Sequence, residues 1–349
     1  MGMNTPLRFV VLGTGAIAGK HIAAIAAVPD AKLVAVWGRD SQRGTAFAAK
    51  YGVEFVPEIA RLVEREDIDC AMVATPSGAH GDGAIPFLKA GKPVLCEKPL
   101  DVSIGKMDAM VATAKAANTT LAAIFQMRLG RGAIAMKRAV TEGRFGRLTL
   151  CSAYLKWWRD AAYYDSVGWR GTRALDGGGA LMNQGVHIVD LLQWIVGMPE
   201  EVFAFSGCLA HSGIEVEDTA VVALKYAHGG LGVIEAATSC KPGLSTRIEI
   251  CGDRGSAIID SDRITHWQFD EGAPWDADVE ALKTGGRVTG SSDPGAVDSE
   301  GHRVLVQDFV SAVREKREPL IPGSEARNGV RVILAAYESA ASGRPVRLA

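Results

Sequence analysis

RFVVLGTGAIAGKHIAAIAAV, residues 8–28, decides the fold. An apolar run ends on Gly13, and apolar residues with helical spacing follow at once. A buried strand that turns directly into a helix opens a β-α-β unit. The turn reads Gly13-Thr14-Gly15-Ala16-Ile17-Ala18, the G-x-G-x-x-A spacing of a dinucleotide site. Gly13 permits the tight turn, Gly15 lets the backbone approach a pyrophosphate, and Ala18 lets helix and strand pack closely. Free amides and the dipole at the helix N-terminus then favour the phosphates. An ordinary glycine turn has the same letters, so the strand and helix around it carry the reading.

The alternation continues. KLVAVWG (32–38) reads as a second strand, 41–50 as a helix, and 70–75 as a strand. A helix at 80–90, a strand at 93–97, a helix at 103–117 and the strand TLAAIF (120–125) follow. This predicts an α/β fold whose N-terminal Rossmann domain, a doubly wound parallel sheet, spans 1–126. Ligands of such sheets sit past the C-terminal strand ends, which here are ATPSGAH (74–80) and CEKPL (96–100). Lys98 follows a buried strand. It either faces the cleft, where partial desolvation suits proton work, or ends the strand as a surface lysine. After the second strand, Gly38 stands where an acid usually meets a ribose 2′-hydroxyl. Arg39, Ser41 and Arg43 suit a 2′-phosphate, so NADP is expected ahead of NAD. Asp40, two residues on, would supply an NAD-type acid, and all four fit a solvated loop too.

With 349 residues, a second domain is expected, here over 127–349. A helix near 131–142 precedes the strand GRLTLCSAYLKWW and an aromatic, arginine-rich stretch, WWRDAAYYDSVGWRGT. From 201 to 260 five strand-like runs follow without helices between them: EVFAFSGCLA, DTAVVALKY, LGVIEAAT, TRIEICG and GSAIID. They predict an α/β domain with an open, mostly antiparallel sheet, one face covered by the helices near 131 and 180. The open face suggests a homodimer or homotetramer. Residues 270–300 read as a long polar loop, a lid or an oligomer arm. From His302 the chain returns to amphipathic helix, expected to pack back on another element, the Rossmann domain included.

GGGALMNQGVHIVDLLQW (177–194) reads as a buried helix behind three glycines. Asn183, His187 and Asp190 fall at i, i+4 and i+7, on one face. Such a stripe either packs on satisfied partners or lines a pocket. A histidine titrates near neutrality and suits reversible proton transfer. Asp190 either lines the pocket or orients His187. Both are metal-ligand types, but no third ligand stands at useful spacing, so no metal is expected.

With 38 basic and 40 acidic side chains the net charge is −2, which points away from nucleic acid or an anionic membrane as partner. The six cysteines form no CxxC and sit mostly in apolar runs. MGMNTPLRFVVLG lacks a basic segment and a long apolar one, and no apolar run reaches spanning length. A cytoplasmic protein is expected.

GTGAIA, ATPSGAH, CEKPL, FQMR, GWRGT, the GGG…GVHIVD run and AAYESAASG extend nearly end to end. On them the chain resembles the Gfo/Idh/MocA oxidoreductases. The resemblance implies nicotinamide-dependent hydride transfer between a secondary alcohol and a ketone of a sugar, cyclitol or sugar derivative. By position Lys98 is the lysine of the family's EKP motif and His187 the histidine of its GxH motif. In the family these flank the reacting carbon, the histidine moving the proton and the lysine polarising the oxygen. The usual DxGxH begins here with Asn183, a form shared with relatives acting on nucleotide-linked uronic acids. An amide can hold a substrate hydroxyl but is no base. The matching motifs assign Gly13, Gly15, Ala16, Ile17, Thr75, Pro76, His80, Glu97, Lys98, Gln126, Trp169 and Arg170 to the cofactor, beside Arg39, Ser41 and Arg43. Arg128, Tyr163 or Tyr164, Asp190 and His302 are candidates to line the substrate pocket, or to pack. Two other classes share the fold: an enzyme cleaving glycosides by transient oxidation with a tightly held NAD, and a non-catalytic sugar sensor. The presence of both Lys98 and His187 argues against the sensor.

Overall fold

The computed structural model describes residues 5–283 and 300–348. In chain order these form β1 (Leu7–Leu12), α1 (Ala16–Ala26), β2 (Ala31–Trp37), α2 (Ser41–Tyr51), β3 (Glu54–Phe55), α3 (Ile59–Glu64), β4 (Cys70–Val73), α4 (His80–Lys89), β5 (Val94–Cys96), α5 (Ile104–Ala116) and β6 (Leu121–Ala123). Then come α6 (Arg131–Thr141), β7 (Leu148–Lys156), α7 (Ala161–Asp165), α8 (Val186–Val196), β8 (Glu201–Gly207), β9 (Thr219–Lys225), β10 (Leu231–Ala237), β11 (Arg247–Gly252), β12 (Gly255–Asp260) and β13 (Arg263–Phe269). The chain closes with α9 (Asp276–Glu280), α10 (Glu300–Glu315), α11 (Gly323–Ser342) and β14 (Val346–Arg347). Two compact units result: Met1–Gln126 with Ser299–Arg327, and Met127–Asp298 with Asn328–Ala349.

The first unit holds a parallel six-stranded sheet in the order β3-β2-β1-β4-β5-β6. β4 and β5 are buried at every residue, the pattern of strands covered on both faces. The second domain is not an unbroken 127–349, because α10 belongs here. Its buried Leu305, Val306, Phe309 and Val310 form one apolar face. That face packs on α1, and Phe309 meets Phe9 of β1 with ring centres 5.9 Å apart. Downstream, the Ala123 N–H donates to the Ile321 carbonyl at 3.0 Å.

The second unit carries an eight-stranded sheet, β13-β12-β11-β7-β10-β9-β8-β14. Only β7 and β10 pair in parallel among its described strands; the other neighbours are antiparallel. In β9, Ala220, Val222 and Leu224 are buried while Val221, Ala223 and Lys225 are exposed. This period of two marks a sheet covered on one face. α8 packs on β7, and α6 on α8 and β12.

β13 was not among the expected strands. It returns from β12 through Ser261 and Asp262, both at positive φ (49° and 73°), as a two-residue hairpin requires. Ser-Asp is a weaker signal for that turn than Asn-Gly. Within the stretch expected as a polar loop, α9 forms at its start; the expected lid or arm otherwise falls largely on 284–299, outside the described residues. Asp276 anchors α9. Its carboxylate accepts from Arg144 Nη1 (2.6 Å) and Nη2 (2.8 Å), from Trp267 Nε1 (2.8 Å) and from the Ala273 N–H (2.7 Å). The Arg144 guanidinium lies 4.1 Å from the Phe269 ring centre and 4.9 Å from that of Trp275. Partial burial pushes the Asp276 carboxyl up, but these donors outweigh it and hold it at about 2 against an ordinary 3.8.

Because the folded value is depressed, this contribution is complete above the unfolded value and vanishes as pH falls towards 2. Asp276→Asn should therefore lower unfolding stability by about 1–2 kcal/mol at pH 7, discounted for partial exposure. Denaturant titrations from pH 7 to pH 2 should show the gap from wild type closing below about pH 4. A gap constant across that range would refute the assignment.

Candidate active site

In the first unit the candidate loops leave the C-terminal strand ends. Gly13 has φ +132°, and a Cβ there would strike the Ala74 carbonyl oxygen, so the turn admits only glycine. Gly15 caps α1 without any side-chain hydrogen bond, and a Cβ on it would meet nothing within 4 Å. The α1 N-terminus, with Ala16 and Ile17 in its first turn, thus faces open space, as a phosphate cradle needs. Thr75 Oγ1 and Gln126 Oε1 are buried without a hydrogen-bond partner among the described residues. Buried acceptors of this kind suit the amide donors of a nicotinamide carboxamide, so the loops fit the cofactor.

His80 holds two of these loops together. Its Nδ1 faces the Pro99 carbonyl at 2.7 Å and its Nε2 the Thr75 carbonyl at 2.9 Å. Burial pushes its pKa down, against the two carbonyls and the Glu97 charge. It is spent on backbone, following the Thr75-Pro76 segment, rather than offered to a ligand.

Beyond β2, a Cβ on Gly38 would lie 2.9 Å from Thr14 Cγ2, so no acid fits there without displacing Thr14. Asp40 caps α2, accepting the Arg43 N–H at 2.9 Å. The Arg43 guanidinium donates to the Thr14 carbonyl at 3.2 Å. Arg39 and Ser41 are exposed.

Glu97 and His302 lie inside the unit. Glu97 Oε1 is 2.7 Å from His21 Nε2 and 3.9 Å from His302 Nε2, and Oε2 accepts the Lys98 N–H at 2.9 Å. Burial raises the Glu97 carboxyl, but the His21 hydrogen bond and the charges of His21, His302 and Lys98 bring it well below the usual carboxylate range. Fully buried, His302 packs edge-on against His21, ring centres 5.2 Å apart, not in a substrate pocket. The ligand atoms of His21, Glu97 and His302 lie within 4.8 Å of one another, a donor set that the sequence spacing does not show. The 2.7 Å contact is too close for two ligands flanking one ion, and reads as a hydrogen bond.

In the second unit, residues 177–194 are not one α-helix. A π-turn, Ala180–Gln184, precedes α8. Such turns often mark functional sites. Glu217 builds it: its carboxylate accepts from the Gly179 N–H, the Leu181 N–H and the Tyr337 hydroxyl, each at 2.9 Å. A Cβ on Gly179 would strike the Glu217 carbonyl, and one on Gly178 the Tyr337 hydroxyl. The glycines therefore serve close packing on Glu217 and Tyr337.

The polar stripe divides. Asn183 Nδ2 donates to Asp176 Oδ1 at 2.6 Å, while Asp176 Oδ2 accepts the Gly171 N–H at 2.8 Å. His187 is half-buried at the second residue of α8. Asp190, 1% exposed, pairs with Arg128, 3% exposed, through Nε (2.8 Å) and Nη2 (2.7 Å). Arg128 and Asp190 are thus an interior ion pair, not pocket lining. Gln184 Nε2 donates to the Tyr163 hydroxyl at 3.0 Å. The Arg170 guanidinium stands 4.1 Å from the Tyr163 ring centre and donates to the Tyr163 carbonyl at 3.0 Å. Trp169 is half-buried just before it. The Tyr164 hydroxyl pairs with Thr238 Oγ1 at 2.8 Å. His21, Asp176, Gln184 and Glu217 escaped the sequence reading. Asp176, directly ahead of three glycines, gave a usable signal; the other three gave none.

Residues 7–125 match the model of an oxidoreductase family with an NAD-binding Rossmann fold, and residues 133–258 the GFO/IDH/MocA C-terminal domain. The chain belongs to the GFO/IDH/MocA oxidoreductase family. It is 30% identical over 340 residues to myo-inositol 2-dehydrogenase of Thermotoga maritima, covering 89% of this chain and 97% of that one. To 1,5-anhydro-D-fructose reductase of Ensifer adhaerens it is 28% identical over 255 residues, 72% and 75% of the two chains. Among solved structures, the WlbA dehydrogenase of Bordetella pertussis, in complex with NADH and UDP-GlcNAcA, superposes with a TM-score of 0.91 at 32% identity over 99% of both chains. The protein is an NAD-binding dehydrogenase or reductase of a family that acts on sugars and cyclitols. No helix among the described residues is long and apolar enough to cross a membrane.

Asp190→Ala should cost about 3–5 kcal/mol of stability by leaving a buried guanidinium uncompensated. The double variant Arg128→Met/Asp190→Leu should recover most of it, as denaturant unfolding would measure. Unchanged stability with lost turnover would return Asp190 to the substrate.

Proposed function

We propose that this enzyme moves a hydride between NADP and a secondary alcohol or ketone on a sugar derivative bearing an acidic group. The observation that carries the reading is the π-turn held by Glu217, which fixes Asn183 and starts α8 so that His187 stands in its first turn. When bound, the nicotinamide gives or takes the hydride. His187 accepts the hydroxyl proton at its imidazole during oxidation and returns it during reduction. Lys98, as an ammonium, polarises the substrate oxygen. Asn183, its Nδ2 turned to Asp176, receives a substrate hydroxyl at Oδ1. Trp169 and Arg170 contact the cofactor. The alternatives of glycoside cleavage and sensing gain no support from any particular contact.

Three features favour NADP over NAD. An acid at Gly38 would have to displace the Thr14 side chain, Asp40 is spent on a helix cap, and Arg39, Ser41 and Arg43 remain to meet a 2′-phosphate. The acidic substrate rests on Tyr163, whose ring centre lies 5.3 Å from the Arg159 guanidinium and 4.1 Å from that of Arg170. Burial pushes the Arg159 pKa down, and a carboxylate beside it would relieve that cost. The acidic sugar nucleotide bound by the WlbA dehydrogenase fits the same chemistry.

A fluorescence titration should show NADPH binding at least about ten-fold tighter than NADH, the worth of one charge-assisted contact. His187→Ala should keep that affinity and lose at least about 100-fold in turnover on sugar acids. Lost nucleotide binding in the variant, or normal turnover, would sink the catalytic assignment; equal affinities would sink the NADP one.

The outer face of the second sheet suits a second copy of the chain. Exposed Phe205 pairs with exposed Val221 across strands, and exposed Leu231 with exposed Leu150. The buried free thiols Cys70, Cys96 and Cys151 fit a reducing cytoplasm. Sedimentation should find a dimer or tetramer, and Phe205→Glu with Leu231→Glu should dissociate it. A wild-type monomer would reject the interface.

A further inference from the structure

From Gly178 to Gln193 every residue is buried except Asn183 and His187, at i and i+4. The surface that this run keeps is therefore what these two side chains offer. An amide such as Asn183 has an acceptor end and a donor end, and can present either. Its neighbour decides which. Asp176, 2% exposed, uses both carboxylate oxygens on N–H groups. Oδ1 accepts Asn183 Nδ2 at 2.6 Å, and Oδ2 accepts the Gly171 N–H at 2.8 Å.

Both contacts constrain the residue types. Two oxygens repel at 2.6 Å unless a proton lies between them, so a carboxylate at 176 fixes Nδ2 as the near end of the Asn183 amide and turns Oδ1 away. Gly171 makes the second demand. It holds φ +71°, and its carbonyl accepts the Glu215 N–H at 2.8 Å, so its own N–H is pinned towards Asp176. An amide at 176 could accept at one end only. Answering Gly171, it would aim a donor at Asn183, whose amide would then turn over to meet it. A carboxylate serves both partners without that reversal.

We propose that Asp176 locks the Asn183 amide, so that Oδ1 is the end offered to a ligand and the site demands a hydrogen-bond donor there, a hydroxyl or an N–H. Asp176 is thus a positioning residue that sets specificity through Asn183. The inference rests on the reading of Asn183 as a substrate contact and adds the polarity of the group it takes. It also gives a reason for an amide at 183: a carboxylate in its place would face that of Asp176 at hydrogen-bond distance.

The first test needs no substrate. Denaturant unfolding of the full-length protein at about pH 8 compares Asn183→Asp with the double exchange Asp176→Asn/Asn183→Asp. The single variant sets two carboxylates together and should raise the unfolding constant at least about 100-fold. In the exchange, the new amide at 176 accepts from Gly171 and donates to the new carboxylate. It should unfold at least about 10-fold less readily than the single variant. If Asn183→Asp does not fold, a folded exchange variant is the same result. An exchange no better than Asn183→Asp overturns the proposal.

The second test reads specificity, as kcat/KM for D-glucuronate and its deoxyfluoro analogues, in which fluorine replaces a donor with a weak acceptor. At one non-reacting position, fluorination should cost wild type at least about 10-fold, the worth of one hydrogen bond. The gap should close in Asp176→Asn, where the turned amide presents Nδ2, and persist in the exchange variant, where a carboxylate still accepts. No gap in wild type, an unchanged gap in Asp176→Asn, or an equal loss on every substrate, as a merely structural role would give, overturns the proposal. An enzyme inert on every sugar acid yet restored in stability by the exchange overturns the hydride-transfer reading and leaves the lock standing.

Discussion

A parallel strand must leave its sheet before the chain can turn into the next helix, and at that edge backbone groups lose their ladder partners. The functional loops of the first unit are answers to this constraint. Gly13 packs its turn against the Ala74 carbonyl. The Thr75 and Pro99 carbonyls share one imidazole, His80. Asp101 accepts the Gly81 and Ser103 amides at 2.9 and 3.0 Å. Beside these satisfied groups, the α1 N-terminus, whose cap residue Gly15 offers no side chain, stands out as the place for an anion.

The second unit relies on buried carboxylates for the same end. Glu217 builds the π-turn, Asp176 orients Asn183 and holds the Gly171 amide, and Asp190 pairs with Arg128. Asp218 gathers the amides of Leu209, Ala210 and His211 at 2.8–2.9 Å. Each acid is satisfied by several donors, so each fixes a segment in one geometry. Buried networks of this kind support a site by holding its side chains before any ligand arrives.

Patterning made much of the fold legible. The strands β1, β2, β4, β5 and β6 and the helices α1, α2, α4 and α5 follow from apolar runs and helical spacing, and the alternation in β9 announces a one-sided sheet. The nucleotide turn was legible because its glycines are spaced by the backbone's own needs. Less legible were elements whose stability comes from partners. β13 depends on a Ser-Asp hairpin and α9 on Arg144. The stripe Asn183, His187, Asp190 looked like one surface because an unbroken α-helix was assumed; the π-turn and two distant partners, Asp176 and Arg128, divide it.

The sequence by itself determined the two-sheet plan: a parallel sheet behind a glycine turn and a second sheet with one apolar face. These rest on local spacing, which a linear string records. Tertiary structure alone decided which charges are spent. It gave Asp40 to a helix cap, Asp190 to Arg128, His302 to the interior beside His21, and Glu97 to the Lys98 backbone. The reason is that a side chain's role depends on the partner that compensates its desolvation. Partners such as His21 and Glu97, 76 positions apart, meet only when the chain is folded.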